Sequence, residues 1–253
     1  MTRHLRTLLD LERSELLAIL ERADELAALR GTSAHPRPLA GKSVVILLEK
    51  ASTRTRVSFE VGVHELGGLP ITLLAKDTQL GRGEPLGDTA RMFSGYAHAI
   101  VYRTFGHERI DALAASATIP VVNGLSAEHH PCQLLADLQT VRQHTGGALE
   151  GVRVAWIGDG NNMAHSWILA AARTGLSLRL ACPAGYEPRA EVVERARALG
   201  ADVAVVREAR EAAEGARVVT TDVWASMGQE EENELRRRAF AKHRVDAPLL
   251  EGA

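Results

Sequence analysis

Residues 43–66 read Ser43-Val44-Val45-Ile46-Leu47-Leu48-Glu49-Lys50-Ala51-Ser52-Thr53-Arg54-Thr55-Arg56-Val57-Ser58-Phe59-Glu60-Val61-Gly62-Val63-His64-Glu65-Leu66. From Ser43 to Glu49 the run is apolar almost throughout and β-branched at its start, the pattern of a parallel-sheet strand covered on both faces. Helical spacing begins at Val57 and Val61, which puts residues 52–56 on a helix N-terminus. Unpaired backbone N–H groups and the positive end of the helix dipole favour an anion there. The hydroxyls of Ser52, Thr53 and Thr55 and the guanidiniums of Arg54 and Arg56 add donors suited to a phosphate. A single hydroxyl beside a single arginine would read as an ordinary helix cap. Five donor residues in a row, at the carboxyl end of a buried strand, read as a ligand site, because open α/β sheets bind there.

The same alternation continues in both directions. Ser14 can cap a helix whose apolar positions Leu16, Leu17, Leu20, Ala23 and Ala27 follow a three-to-four residue period. Strands are expected at Leu69–Leu74, Ala99–Tyr102 and Ile119–Val122, with helices at Val57–Leu66, Thr89–Tyr96, Ile110–Ala115 and Cys132–Gln143. His144-Thr145-Gly146-Gly147 reads as a linker, since paired glycines permit almost any backbone geometry. After it the pattern restarts, with strands at Val152–Ile157, Leu178–Leu180, Val203–Val206 and Arg217–Thr220. Helices Met163–Arg173, Ala190–Leu199 and Glu208–Glu214 lie between them. The fold class is α/β, with two domains, 1–145 and 146–253, each an open parallel sheet flanked by helices.

A chain of 253 residues with 45% hydrophobic content can bury two cores of ordinary size. Its 30 basic and 32 acidic residues nearly cancel, so no global field favours nucleic acid or an anionic membrane, and an anion must be held locally. Cys132 and Cys182 lie far apart without zinc-type spacing, and no metal or cofactor is expected. No run approaches the roughly 18 apolar residues of a membrane span, and the N-terminus lacks the features of a signal peptide, which suits a cytoplasmic protein. Gly41-Lys42-Ser43 mimics the end of a Walker A loop, but position 36 is Pro and the triplet precedes a strand. Gly158-Asp159-Gly160-Asn161-Asn162-Met163 mimics a dinucleotide fingerprint. Met163 replaces its third glycine, and the next strand ends in Leu180-Ala181-Cys182-Pro183 without an acid for a ribose. His129-His130 lacks a Cys, His or carboxylate set at ligand spacing.

Ser52-Thr53-Arg54-Thr55-Arg56 resembles the carbamoyl-phosphate signature of the aspartate/ornithine carbamoyltransferase family, and further motifs follow in the family's order. Tyr102-Arg103-Thr104-Phe105-Gly106-His107, His130-Pro131-Cys132-Gln133 and Thr78-Gln79-Leu80-Gly81-Arg82-Gly83-Glu84 match positions that the family uses on carbamoyl phosphate. Without the resemblance, His130 would be a pre-helix residue and Gln79 and Arg82 solvated loop residues. With it, Ser52, Thr53, Arg54, Thr55, Gln79, Arg103, His130 and Gln133 are expected to bind carbamoyl phosphate. Arg103, His130 and Thr55 would stabilise the negative charge that grows on the carbonyl oxygen when an amine attacks. Gln133 would hold the carbamoyl NH2. The family pattern also implies that Gln79 reaches a neighbouring subunit's site in a homotrimer.

In the second domain, Asn162 matches a position that binds the α-amino or carboxylate end of the amino acid. Asp222-Val223-Trp224-Ala225-Ser226-Met227-Gly228 resembles the ornithine-type D-x-x-x-S-M-G loop. Asp222 can pair with an ammonium group, Ser226 can hydrogen-bond the α-substituents and Met227 can pack on the aliphatic stem. Taken alone, Asp222 would read as a helix-capping residue. The resemblance implies carbamoyl transfer to ornithine, giving citrulline and phosphate in arginine metabolism. Acetylornithine or putrescine as acceptor, and a non-catalytic carbamoyl-phosphate-binding paralogue, are the alternatives. The family pattern continues with a His-Cys-Leu-Pro loop and a final helix, and this sequence contains no such tetrapeptide. The expectation is therefore a truncated second domain, an intact carbamoyl-phosphate half, and weak or absent amine turnover.

Overall fold

The computed structural model describes residues 2–224 and 233–253, which divide into two compact units, Met1–Gln133 and Leu134–Ala253. Unit 1 runs α1 (Arg13–Leu29), β1 (Ser43–Leu48), α2 (Thr53–Glu65), β2 (Leu69–Leu74), α3 (Leu86–Tyr96), β3 (Ala99–Arg103), α4 (His107–Ser116), β4 (Val121–Leu125) and the first turn of α5 (Pro131–His144). Its strands form one parallel sheet in the order β2-β1-β3-β4. Side chains alternate across β1 as a two-residue period requires. Val45 and Leu47 join Phe93, Ile110 and Leu113 on one face, while Val44, Ile46 and Leu48 join Val63 and Phe59 on the other. Two apolar faces on one strand explain its uninterrupted apolar run.

Unit 2 continues with β5 (Arg153–Ile157), α6 (Asn162–Thr174), β6 (Ser177–Ala181), α7 (Ala190–Ala198), β7 (Val203–Val206), α8 (Ala209–Ala213), β8 (Val218–Thr220), α9 (Asn233–Ala239) and α10 (Ala247–Leu250). Its sheet is also parallel, in the order β7-β6-β5-β8. In each sheet the order reverses once, at β1/β3 in unit 1 and at β5/β8 in unit 2. Such switch points open a crevice at the strands' carboxyl ends, where ligands bind in open α/β sheets.

Several local expectations need correction. Ser14 does not cap α1; the N-cap is Glu12, whose backbone N–H donates to the Glu15 carboxylate at 2.9 Å, so the helix starts one residue before Ser14. β4 begins at Val121 and runs on to Leu125, later than expected from Ile119, with Pro120 ahead of it contributing only its carbonyl, to Ile100 N. α2 begins at Thr53, well before the apolar period. Val57 and Val61 are partly exposed and line a groove with Leu26, Ala27 and Leu66, so the pair that signalled the helix does not face the sheet. The turn expected at Gly41-Lys42 is present: Gly41 has φ 73° and leads through Lys42 into β1.

Candidate active site

At the β1/β3 switch point the chain leaves β1 through Glu49-Lys50-Ala51 and enters α2 at Ser52. Ser52 is the N-cap: its hydroxyl accepts from Thr55 N at 3.3 Å and donates to Thr55 Oγ1 at 3.0 Å. Thr55 Oγ1 also accepts from Arg103 Nη1 at 2.8 Å, which ties the first turn of α2 to the end of β3. Arg103 is only 8% exposed, and its Nε has no hydrogen-bond partner among the described residues. A buried guanidinium N–H without a partner costs free energy unless a ligand supplies an acceptor. Burial, then the positive charge of Arg54, lowers the Arg103 pKa from its ordinary value.

Arg54 and Thr53 are exposed on the first turn of α2, whereas Arg56 turns along the helix and pairs with Glu60 at 2.9 Å. Ser52, Thr53, Arg54 and Thr55 thus stay at the helix head, whereas Arg56 is drawn along the helix to Glu60. His130 immediately precedes α5 and is half-buried. Burial, then the nearby Arg103 charge, pushes its imidazole down to about 4, so it is neutral at pH 7. The loop before it is fixed from several sides. Ser126 Oγ accepts from His129 N at 3.2 Å and pairs with His107 Nδ1 at 3.0 Å, and the His107 and His129 rings meet edge to face at 4.9 Å. Gln133 lies exposed in the first turn of α5. Gln79 is exposed at the start of a 3-10 turn, Leu80–Arg82, and among the described residues no hydrogen bond joins its side chain to this cluster. No group of three His, Cys, Asp or Glu side chains gathers as a metal site among the described residues.

Sequence reasoning missed a second layer behind Arg103. Glu49 accepts from Arg109 Nε at 3.0 Å and from the Thr104 hydroxyl, and Arg109 Nε also reaches the Tyr102 hydroxyl at 3.3 Å. One signal was present: a carboxylate closing a buried apolar run demands a partner.

At the β5/β8 switch point of unit 2, Asn161 caps α6, its Oδ1 accepting from Met163 N at 2.9 Å and Ala164 N at 3.2 Å. Its Nδ2 donates to Asp222 Oδ2 at 3.1 Å, while Asp222 Oδ1 accepts from Val223 N at 2.7 Å. Asn162 is the first residue of α6. Asn161, a residue the sequence did not single out, is thus bonded to Asp222 and lies next to the expected Asn162. Ser226 and Met227 lie outside the described residues. Arg236 is buried, pairs with Asp159 at 2.7 Å, donates to Trp224 O at 2.9 Å and stacks on the Tyr186 ring. Nothing in Arg236-Arg237-Arg238 marked the first of the three as the buried one. At Gly160 an added Cβ would lie 2.1 Å from Pro188 N, so that glycine serves the approach of two protein loops rather than of a pyrophosphate.

Two family models cover this architecture. Residues 3–143 match "Aspartate/ornithine carbamoyltransferase, carbamoyl-P binding domain", and residues 150–253 match "Aspartate/ornithine carbamoyltransferase, Asp/Orn binding domain". The chain belongs to the aspartate/ornithine carbamoyltransferase family. Within that family it is 54% identical to an ornithine carbamoyltransferase of Acidothermus cellulolyticus, over 99% of this chain and 80% of the relative. It is 49% identical to the anabolic ornithine carbamoyltransferase of Pseudomonas aeruginosa, over 99% of this chain and 81% of the relative. The solved ornithine carbamoyltransferase of Pyrococcus furiosus superposes with a TM-score of 0.93 at 42% identity, covering 99% of this chain and 81% of that one.

Proposed function

We propose that this chain transfers the carbamoyl group of carbamoyl phosphate to the side-chain amine of L-ornithine, releasing L-citrulline and phosphate. The observation that carries the reading is the buried Arg103 guanidinium, bonded to Thr55 at the head of α2, with an Nε–H that meets no acceptor among the described residues. Ser52, Thr53, Arg54 and Thr55, with the N–H groups of the helix start, take the phosphate; its charge is met by arginine and dipole, so the scheme needs no cofactor. As the amine attacks, charge moves onto the carbonyl oxygen, where Arg103, Thr55 and His130 converge. Neutral His130 offers an N–H donor without bringing a second full positive charge beside Arg103. Gln133 orients the carbamoyl NH2, and Gln79 contributes from the neighbouring subunit of a homotrimer.

On the amino-acid side, Asp222 receives the ornithine ammonium, held by Asn161, while Asn162 and Ser226 take the α-substituents and Met227 packs on the stem. The 1–145 segment then serves as the carbamoyl-phosphate domain and 146–253 as the ornithine domain. The anabolic name of the Pseudomonas relative favours arginine biosynthesis, in the cytoplasm. Among the described residues no helix is long and apolar enough to cross a membrane. Citrulline formation by the purified chain tests the reading. Whatever turnover the chain supports, weak or strong, is expected with ornithine and carbamoyl phosphate and not with aspartate, because Asp222 repels a second carboxylate. Turnover preferring aspartate, acetylornithine or putrescine would refute the acceptor assignment.

A further inference from the structure

We infer that Arg109 is a positioning residue for carbamoyl transfer, acting through Glu49 on Arg103. The inference rests on the proposed transfer and goes beyond its residues, since neither Arg109 nor Glu49 touches the ligand site. Glu49 sits one residue past β1, and its backbone N–H donates to the Arg103 carbonyl at 2.9 Å. Its carboxylate accepts from the Thr104 hydroxyl, so the same residue grips the chain on both sides of the Arg103–Thr104 peptide. That grip lies where the β3–β4 register shifts between Tyr102 and Arg103, a point at which the ladder alone does not fix the backbone. Arg109, from α4, closes the arrangement by bonding Glu49 through both Nε and Nη2 and reaching the Tyr102 hydroxyl.

The charged state of Glu49 depends on this partner. Its side chain is 10% exposed, and burial alone pushes the carboxyl up. Hydrogen bonds from Arg109, then Thr104 and Tyr102, together with the Arg109 charge, outweigh burial and hold it below the ordinary carboxylate range. The titratable groups that face Glu49 are Arg109 from α4 and Tyr102 from β3, the latter pushed up to about 12 and neutral throughout the working range. Lys50 lies beside it in the chain, with its ammonium over the Phe105 ring. Removing Arg109 takes away its hydrogen bond and its charge, leaves only Thr104 and Tyr102 against burial, and so moves Glu49 up. Protonated Glu49 is a weaker acceptor for Thr104, so when pH falls the carboxylate's grip on the residue after Arg103 loosens and only the Glu49 backbone N–H still holds the Arg103 carbonyl.

The test is the pH dependence of two quantities, kcat for citrulline formation and the calorimetric affinity for carbamoyl phosphate. Both are measured on the full chain and on Arg109→Leu, Glu49→Gln and the double variant. For Arg109→Leu, kcat is expected to fall about tenfold or more, since small misplacements of a catalytic group cost that much, with KM for ornithine little changed. The acid limb of both profiles should move to higher pH, and the double variant, having no carboxyl there to titrate, should lose that movement. A merely structural pair would lower stability without moving the limb. Coincident acid limbs in wild type and Arg109→Leu, or a displaced limb that persists in the double variant, would overturn the inference. If Arg109→Leu does not fold, Arg109→Lys keeps the charge but loses the two-point bond: lowered kcat with an unmoved limb supports the inference and unchanged kcat overturns it. A wild-type chain without turnover would fail the transfer reading, and the carbamoyl-phosphate profiles then decide the positioning claim by themselves.

Discussion

Arg103 and His130 show how one buried cation sets the chemistry of its neighbours. A histidine that carried a proton at pH 7 would add a second positive charge in a half-buried space, and burial together with Arg103 prevents it by lowering the imidazole to about 4. The direction has a measurable consequence. Below the unfolded-state value near 6.5 the unfolded chain binds a proton that the folded one refuses, so His130 reduces stability progressively as pH falls from about 6.5 to about 4 and not above. In the ligand-free protein, the His130 ring resonances should titrate well below the ordinary histidine midpoint. Replacing Arg103 with Met should recover only part of the shift, because burial is the larger cause. A His130 midpoint near 6.5 would contradict both the burial and the proximity of Arg103.

The elements of the two units were legible in the sequence to different degrees, for physical reasons. β1 is covered on both faces, which forces a continuous apolar run and leaves no ambiguity. β4 carries Asn123-Gly124 and follows a proline, so nothing in its composition reveals that it runs on to Leu125. The start of α2 was legible from its donors, yet the burial of Thr55 and the diversion of Arg56 to Glu60 depend on rotamers that spacing does not encode. In unit 2 the glycine pattern after β5 departs from a dinucleotide fingerprint at Met163, but the reason for Gly160 required the fold. Gly160→Ala places a methyl against the backbone of Glu187 and Pro188. Forced overpacking of this kind costs about 1–3 kcal/mol, or a melting temperature lower by a few degrees in a chain of this size. Carbamoyl-phosphate affinity should be unaltered, since the residues proposed to bind it belong to unit 1. An unchanged melting temperature would show that the two loops part without cost.

Across the whole molecule, each unit places part of its candidate set at the point where its strand order reverses. In unit 1 the ends of β1 and β3 bring Ser52, Thr55 and Arg103 together. In unit 2 the ends of β5 and β8 bring together Asn161 and Asp222. Ser52 and Asn161, at the heads of α2 and α6, and Arg103 and Asp222, at or just past the ends of β3 and β8, thus hold matching places in the two units, whereas Gln79 follows β2 and His130 and Gln133 follow β4. The proposal as a whole depends on the first of these points being a carbamoyl-phosphate site built on a buried guanidinium. Titration calorimetry of carbamoyl phosphate into the wild-type chain and Arg103→Ala measures this most directly. Truncating one partner of a buried, hydrogen-bonded charge pair costs about 2–5 kcal/mol, so the account predicts saturable wild-type binding that weakens at least about thirtyfold in the variant. Equal affinity in the two proteins, or no binding by the wild type, would contradict it.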